Sequence, residues 1–265
     1  MEKDFNFIFI TQDDPFYIRC FFAEFFSIYP DLREIKSVVI QSPMGKNSMW
    51  ALAKQMYIFY GLVDFFRMGL RYTGMKTLTG LSRFHRKSEW LGLRQLCKVH
   101  NIEVLHQNDI HNAEFLAKQR GKDLDLIISV AAPTIFNKEL IDLPRLGCIN
   151  IHHAPLPRYR GMMPNFWQLY NGEKEVGITI HKINPKIDEG EIILQKQVPI
   201  KTGEPLDKLI RRTKRLGAHV MLEAIEMIRN GKVQYRKNNP QEGFYFSFPT
   251  REDVRKFRAM GYKLL

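Results

Sequence analysis

An amide, an imidazole and a carboxylate lie where they could form one polar site. Asn150 and His152 stand two residues apart at the C-terminal end of a predicted strand, so their side chains point to the same side. Asp188 follows in a turn that ends at Gly190. The amide could stabilise an oxyanion, the imidazole could move a proton, and the carboxylate could hold the imidazole charged or relay the proton. Since no Ser or Cys is placed as an obvious nucleophile, attack by a bound amine is favoured over a covalent enzyme intermediate.

Strands and helices alternate along the part of the chain that leads to this site. Open parallel sheets bind ligands just beyond the C-terminal ends of their strands, where Asn150 and His152 stand. The alternation therefore predicts an α/β fold with a mainly parallel twisted sheet flanked by helices. No GxGxxG motif follows the first strand, which excludes the usual dinucleotide fingerprint. The predicted strands are 5–10, 37–40, 102–105, 124–130 and 147–151, and the predicted helices are 16–28, 88–100, 112–119 and 136–141.

The pattern changes after residue 176. Two further strands are predicted at 177–183 and 191–200, followed by a long amphipathic helix at 206–228. Thr250 and Asp253 resemble a capping box and predict one last short helix. We therefore expect a catalytic core over 1–200, with a helical insertion at 44–86, and a helix with a small C-terminal tail over 201–265.

A resemblance to a known family is carried by the residues around the polar site. Asn150-Ile151-His152, Leu156-Pro157-Arg158-Tyr159-Arg160-Gly161 and Asp188 with Gly190 resemble the formyltransferases that use 10-formyltetrahydrofolate. The resemblance runs from about Ile102 to Gln195. It implies a Rossmann-like formyltransferase core in which Asn150 and His152 contact the formyl oxygen and Asp188 positions His152 or a water.

The same resemblance implies where the folate and the acceptor bind. The pterin would lie against two loops and a third segment that completes its wall, and no metal is expected. His181 and Arg160 would line the substrate pocket. The predicted folate contacts are Pro133, Thr134, Ile135 and Phe136, then Pro185 and Ile187, and for the wall Ala154, Pro155, Leu156 and Pro157.

The acceptor amine is inferred by eliminating branches of the family. The segment 201–265 looks too short for the C-terminal β-barrel of the tRNA branch, and the insertion has no counterpart in the glycinamide ribonucleotide enzymes. A sugar N-formyltransferase acting on an amino sugar linked to a nucleotide or a lipid is the closest branch that remains. A tRNA-binding formyltransferase-like protein and a formyltetrahydrofolate hydrolase stay open as alternatives.

The insertion predicts a helix from about Ser48 to Leu78 with an apolar stripe. The first interpretation is a helix packed on the sheet or on a partner subunit of a homodimer. The second is a peripheral membrane contact through 49–75, because aromatic side chains near Lys54, Arg67, Arg71 and Lys76 suit a membrane interface. The stripe consists of Met49, Trp50, Leu52, Met56, Phe59, Tyr60, Val63, Phe66 and Leu70.

The charge of the chain is concentrated rather than spread. The 265 residues carry a net charge of +12, and residues 201–265 hold 15 cationic and 7 acidic side chains. This basic surface could face substrate phosphates, anionic lipid or solvent, so it favours an anionic acceptor and makes nucleic acid the less favoured partner. The three cysteines have no CxxC spacing and no leader is recognised, which predicts a cytoplasmic protein, with membrane association as the option above.

Overall fold

The computed structural model describes residues 5–12, 14, 16–42, 49–81 and 92–265. Two parts of the predicted insertion, 44–48 and 82–86, lie outside the described residues. The same is true of 88–91, the first residues of a predicted helix.

The described residues form a seven-stranded sheet in the order β3-β2-β1-β4-β5-β7-β8. The first five strands in this order pair in parallel, and β7 pairs antiparallel with both β5 and β8. The prediction of a mainly parallel α/β sheet is confirmed. A small second sheet pairs β6 with β9. The strands are β1 (Phe7–Gln12), β2 (Ile35–Gln41), β3 (Val104–His106), β4 (Leu126–Val130), β5 (Cys148–His152), β6 (Arg160–Gly161), β7 (Glu175–Lys182), β8 (Ile192–Pro199) and β9 (Tyr245–Phe246).

Helices cover the sheet, and one of them was not expected from the sequence. This helix, α6, follows the catalytic segment directly and buries polar Asn165 and Gln168 beside its aromatic residues, so it lacks an amphipathic period. The helices are α1 (Ile18–Ile28), α2 (Met49–Leu81), α3 (Leu93–Val99), α4 (Ala113–Arg120), α5 (Lys138–Ile141), α6 (Pro164–Tyr170), α7 (Leu206–Arg229) and α8 (Arg251–Ala259).

Alternate residues of the central strands pack on opposite faces of the sheet. On β1, Phe7 and Phe9 face the helices α1 and α7, whereas Ile8 and Ile10 face α4 and α5. The same alternation on β5 sends Ile149 and Ile151 to the α7 side and Cys148 to the other. Asn150 and His152 therefore lie on the face that α4 and α5 cover.

The segment after residue 200 shares the core of the sheet. Helix α7 packs on α1, β7 and β8. Phe257 of α8 is fully buried and stacks on Phe166, with the ring centroids 4.6 Å apart. The predicted small tail therefore contributes Val254, Phe257 and Leu264 to the interior.

Helix α2 departs from the continuous stripe that the sequence predicts. The backbone of Gly61 has φ 67° and ψ 176°, which bends the helix and turns its two halves differently. Phe59 and Tyr60 are buried, whereas Trp50, Val63, Phe66 and Leu70 are exposed. Among the described residues, none of the helices has the length and hydropathy to span a membrane.

Candidate active site

The antiparallel pairing of β5 with β7 places a second histidine beside Asn150. Asn150 lies opposite His181 in the ladder, and its Nδ2 is 3.1 Å from His181 Nε2. His181 Nδ1 is 2.7 Å from the carbonyl oxygen of Lys182. Because a carbonyl only accepts, Nδ1 carries the proton, and Nε2 accepts from the Asn150 amide. Buried His181 therefore fixes the orientation of Asn150, so the residue predicted for the substrate pocket supports a predicted catalytic residue.

The loop after β7 brings Asp188 to the two histidines. Asp188 Oδ2 lies 3.5 Å from His152 Nδ1, and Oδ1 lies 3.6 Å from His181 Nε2. The carboxylate also accepts from the backbone N–H of Gly161 at 2.9 Å. Asn238 Nδ2 donates to the carbonyl oxygen of Asp188 and so holds the loop. The structure thus brings Asn150, His152 and Asp188 into one cluster.

The hydrogen bond of His152 decides which of its ring nitrogens is available to accept a proton. Nε2 lies 2.8 Å from the carbonyl oxygen of Tyr159, so this nitrogen donates, and the neutral ring keeps its lone pair on Nδ1, facing Asp188. Burial lowers the pKa of His152 and outweighs Asp188 and the Tyr159 carbonyl, which raise it. Nδ1 of a neutral His152 is therefore a proton acceptor near neutral pH.

The carboxylate stays ionised despite its burial. Burial alone would raise the pKa of Asp188, but His152 and His181 when protonated, and the N–H of Gly161, lower it, and the pKa lies well below its usual range. An ionised Asp188 stabilises the imidazolium that forms when His152 takes up a proton.

Arg160 holds the loop that carries Asp188. Its Nη1 donates to Glu189 Oε1 at 2.7 Å, and Gly161 pairs with Phe246 of β9. This arginine, predicted for the substrate pocket, is therefore already paired with a half-buried acidic partner.

The residues predicted to bind folate lie on the loops around the trio. Ile135 and Ile187 expose their side chains on either loop, while Phe136 is buried and Thr134 Oγ1 accepts from Gln41 Nε2 at 2.9 Å. The side chains of Ala154 and Leu156 are buried, so only their backbone could contribute to the predicted wall. Pro133, Pro155 and Pro157 are half-buried, and Pro185 is exposed.

Four non-glycine residues with positive φ lie on or next to these loops. They are Ala131, Tyr159, Met163 and Asp188, and two others among the described residues, Asn101 and Asp123, lie elsewhere. Each such residue costs about 1 kcal/mol or more, and such strain clusters at functional sites. The residue types around these positions do not predict this backbone strain.

Lys214 of α7 is a charged group, on the other face of the sheet, that the sequence interpretation missed. Burial lowers its pKa to about 8, and its charge in turn lowers the pKa values of His152 and His153. Gly217, three residues further along, faces β5, since an added Cβ there would lie 2.7 Å from Ile151 Cδ1. The position was readable from the sequence, because Lys214 lies within the apolar stripe between Ile210 and Gly217 and interrupts it.

Comparisons with known proteins agree with this fold. Residues 75–225 match the sequence profile of the family described as formyl transferase. The methionyl-tRNA formyltransferase of Pelobacter propionicus is 33% identical over 153 residues, which are 58% of this chain and 48% of that protein. The chain thus spans about half the length of the curated relatives it matches.

Solved structures show the same fold at low identity. Glycinamide ribonucleotide transformylase 1 from Symbiobacterium toebii aligns with a TM-score of 0.59 at 15% identity, covering 89% of this chain and 96% of that chain. The N-formyltransferase of Helicobacter canadensis, solved with folinic acid and dTDP-3-aminofucose, aligns with a TM-score of 0.56 at 18% identity, covering 94% and 72%. Since the family profile matches more than half of the residues, this chain belongs to the formyl transferase family.

Proposed function

We propose that this protein transfers a formyl group from 10-formyltetrahydrofolate to a primary amine. The observation that carries the proposal is the cluster of Asn150, His152 and Asp188 in a chain of the formyl transferase family. An amide donor, a neutral imidazole and an ionised carboxylate are the groups that acyl transfer to an amine needs.

The surroundings of the trio suit a folate donor. Ile135 and Ile187 offer aliphatic side chains to solvent on two loops beside the catalytic residues, which suits the flat face of a pterin. The backbone of 133–136 and of 185–188 would hold the ring. When bound, the donor supplies an activated formyl group.

The chain's own residues then have separate tasks. Asn150 Nδ2 donates one hydrogen to His181, and its second hydrogen is available to donate to a carbonyl oxygen. His152 Nδ1 takes the proton from the attacking amine, and Asp188 stabilises the resulting imidazolium. As the bond from the formyl carbon to the donor nitrogen breaks, His152 returns this proton to the leaving nitrogen. Cys148 points to the same face, but burial raises the pKa of its thiol, so it stays protonated and is a poor nucleophile. Direct attack by the amine follows.

For the acceptor we favour an amino sugar linked to a nucleotide or a lipid. The basic segment 201–265, with 15 cationic and 7 acidic side chains, suits an acceptor that carries phosphate. Methionyl-tRNA is the second candidate, because the curated relatives are methionyl-tRNA formyltransferases.

Product mass after incubation with 10-formyltetrahydrofolate tests the reaction and separates the acceptors. The panel holds dTDP- and UDP-linked amino sugars and methionyl-tRNA, and formate release without any amine detects a hydrolase. We expect Asn150→Ala and His152→Ala to lower kcat by about 10² to 10⁴ while the circular dichroism spectrum is kept.

His153→Ala is the matched control for these variants. His153 is adjacent to His152 and equally buried, but it belongs to the opposite face of β5. This variant should keep most of the turnover. Wild-type rates in His152→Ala and Asn150→Ala would contradict the proposed reaction.

A further inference from the structure

We propose that α2 and the neighbouring α8 form a surface that docks in the plane of an anionic lipid bilayer. The proposal goes beyond formyl transfer and does not depend on it. It rests on three observations: the apolar side chains that α2 exposes, the contacts that already fix its inner side, and the cations that surround it.

Large apolar side chains are exposed on both halves of α2, and we call this set its outer side. Trp50 is 85% exposed, Phe66 63% and Leu70 74%. Single exposed apolar residues are common, but contiguous patches beyond a few hundred Å² mark interaction sites. The large apolar residues on this side are Trp50, Tyr57, Ile58, Leu62, Val63, Phe66 and Leu70.

The inner side of α2 is already bound to the rest of the fold. Phe59 packs against Phe166 and Phe248, with ring centroids 5.8 and 5.4 Å apart. Tyr60 Oη lies 3.2 Å from Tyr17 Oη, and Arg71 Nη1 donates to Asp207 at 3.1 Å. Helix α2 is therefore docked on the rest of the fold through its inner side, and its outer side stays exposed although the helix is packed.

Cations accompany the outer side of α2. Lys54 and Arg67 are exposed beside the apolar residues. The sequence of α2 contains a single acidic residue, Asp64, which is paired with Arg67 and Arg258. An exposed apolar ridge with cations beside it is the pattern of helices that lie in the interface of anionic membranes.

Helix α8 extends this charge. Arg258 donates to the carbonyl oxygen of Tyr60 and to Asp64, which places it against α2. Arg251 and Arg255 precede it by seven and three residues, so all three share one face of α8. Anionic headgroups would supply acidic partners for Arg251 and Arg255, which are exposed on this face.

Co-sedimentation with vesicles tests the proposal on the full chain. We compare vesicles of pure phosphatidylcholine with vesicles containing one-third phosphatidylglycerol. Wild-type protein should partition to the anionic vesicles, and Phe66→Glu with Leu70→Glu should weaken this partition at least tenfold. Val99→Glu is the matched control, since Val99 is 52% exposed on α3 and should leave the partition unchanged.

A second arm tests the charge and the competing occupant. Replacing Arg251 and Arg255 by serine should weaken binding to the anionic vesicles by about fivefold for each arginine, and added salt should do the same. Circular dichroism checks the folding of every variant. Absence of wild-type binding, or equal binding to neutral vesicles, overturns the proposal. A lipid-free dimer that Phe66→Glu dissociates also overturns it and assigns the face to a second copy.

Discussion

At the scale of single residues, His152 is set between opposing influences. Burial and, to a smaller extent, His181 and Lys214 lower the pKa of its imidazole, whereas Asp188 and the carbonyl of Tyr159 raise it. The result is a ring that is neutral at pH 7 and has its lone pair on Nδ1, beside an ionised carboxylate. A general base needs this combination, because it must accept a proton readily and hold it only briefly.

Two substitutions should move the pH profile of activity in opposite directions. If neutral His152 is the base, kcat/KM falls as pH drops through its pKa. Asp188→Asn removes a charge that raises this pKa, so the acidic limb should move to lower pH while the maximal rate falls by about 10² or more. Lys214→Met removes a charge that lowers the same pKa, so the limb should move to higher pH. The pH dependence of kcat/KM for both variants is the measurement, and shifts in the same direction would refute the assignment.

At the scale of elements, the C-terminal segment holds the catalytic loops in place. Asn238 bonds the carbonyl oxygens of Asp188 and Gly190, and β9 pairs with β6 just before α6. Gly243 lies so close to the backbone of Pro157 that an added Cβ would overlap its carbonyl group. The segment after residue 230 therefore crosses the site and holds its loops in place, and we call this segment the strap.

Gly243→Ala should loosen this strap. The new methyl group meets rigid backbone, so we expect a loss of about 1 to 3 kcal/mol in the free energy of unfolding and a lower kcat, because Asp188 loses its support. Gly74→Ala in α2 is the control, since no atom of the described residues lies within 4 Å of its added Cβ. That variant should gain up to about 1 kcal/mol from helix propensity. Denaturant unfolding and steady-state kinetics test both, and an unaffected Gly243→Ala enzyme would show that the strap is dispensable.

At the scale of the whole molecule, one core joins the sheet, α2 and the C-terminal helices. Phe166, Phe59, Phe248 and Phe257 form a continuous aromatic cluster between α6, α2 and α8. A substitution in α8 should therefore alter the packing of α6, which follows the catalytic segment.

Phe257→Ala should destabilise the entire chain and not only its last helix. Deleting a fully buried phenylalanine costs about 3 to 5 kcal/mol, which lowers Tm by roughly 10 °C in a chain of this size. Tryptophan fluorescence and far-ultraviolet circular dichroism should report the same lowered transition. Separate early melting of α8, with the remaining transition unshifted, would contradict a shared core.

The sequence by itself determined the fold class and the residues of the candidate site. Alternating apolar strands and helices are local patterns, and Asn150, His152 and Asp188 stand in motifs whose residue types and order are visible without a structure. The sheet of the structure and the membership in the formyl transferase family confirm the fold and the resemblance.

Only the tertiary structure decided how these residues act and what the insertion presents. The link between Asn150 and His181 arises from the register of two antiparallel strands, and the influence of Lys214 on His152 arises from helix packing. The predicted stripe of α2 is bent at Gly61 and divides into buried residues, such as Phe59 and Tyr60, and exposed residues, such as Trp50 and Phe66, which lie on both sides of the bend. Such contacts join residues far apart in the chain, and a local pattern carries no information on them.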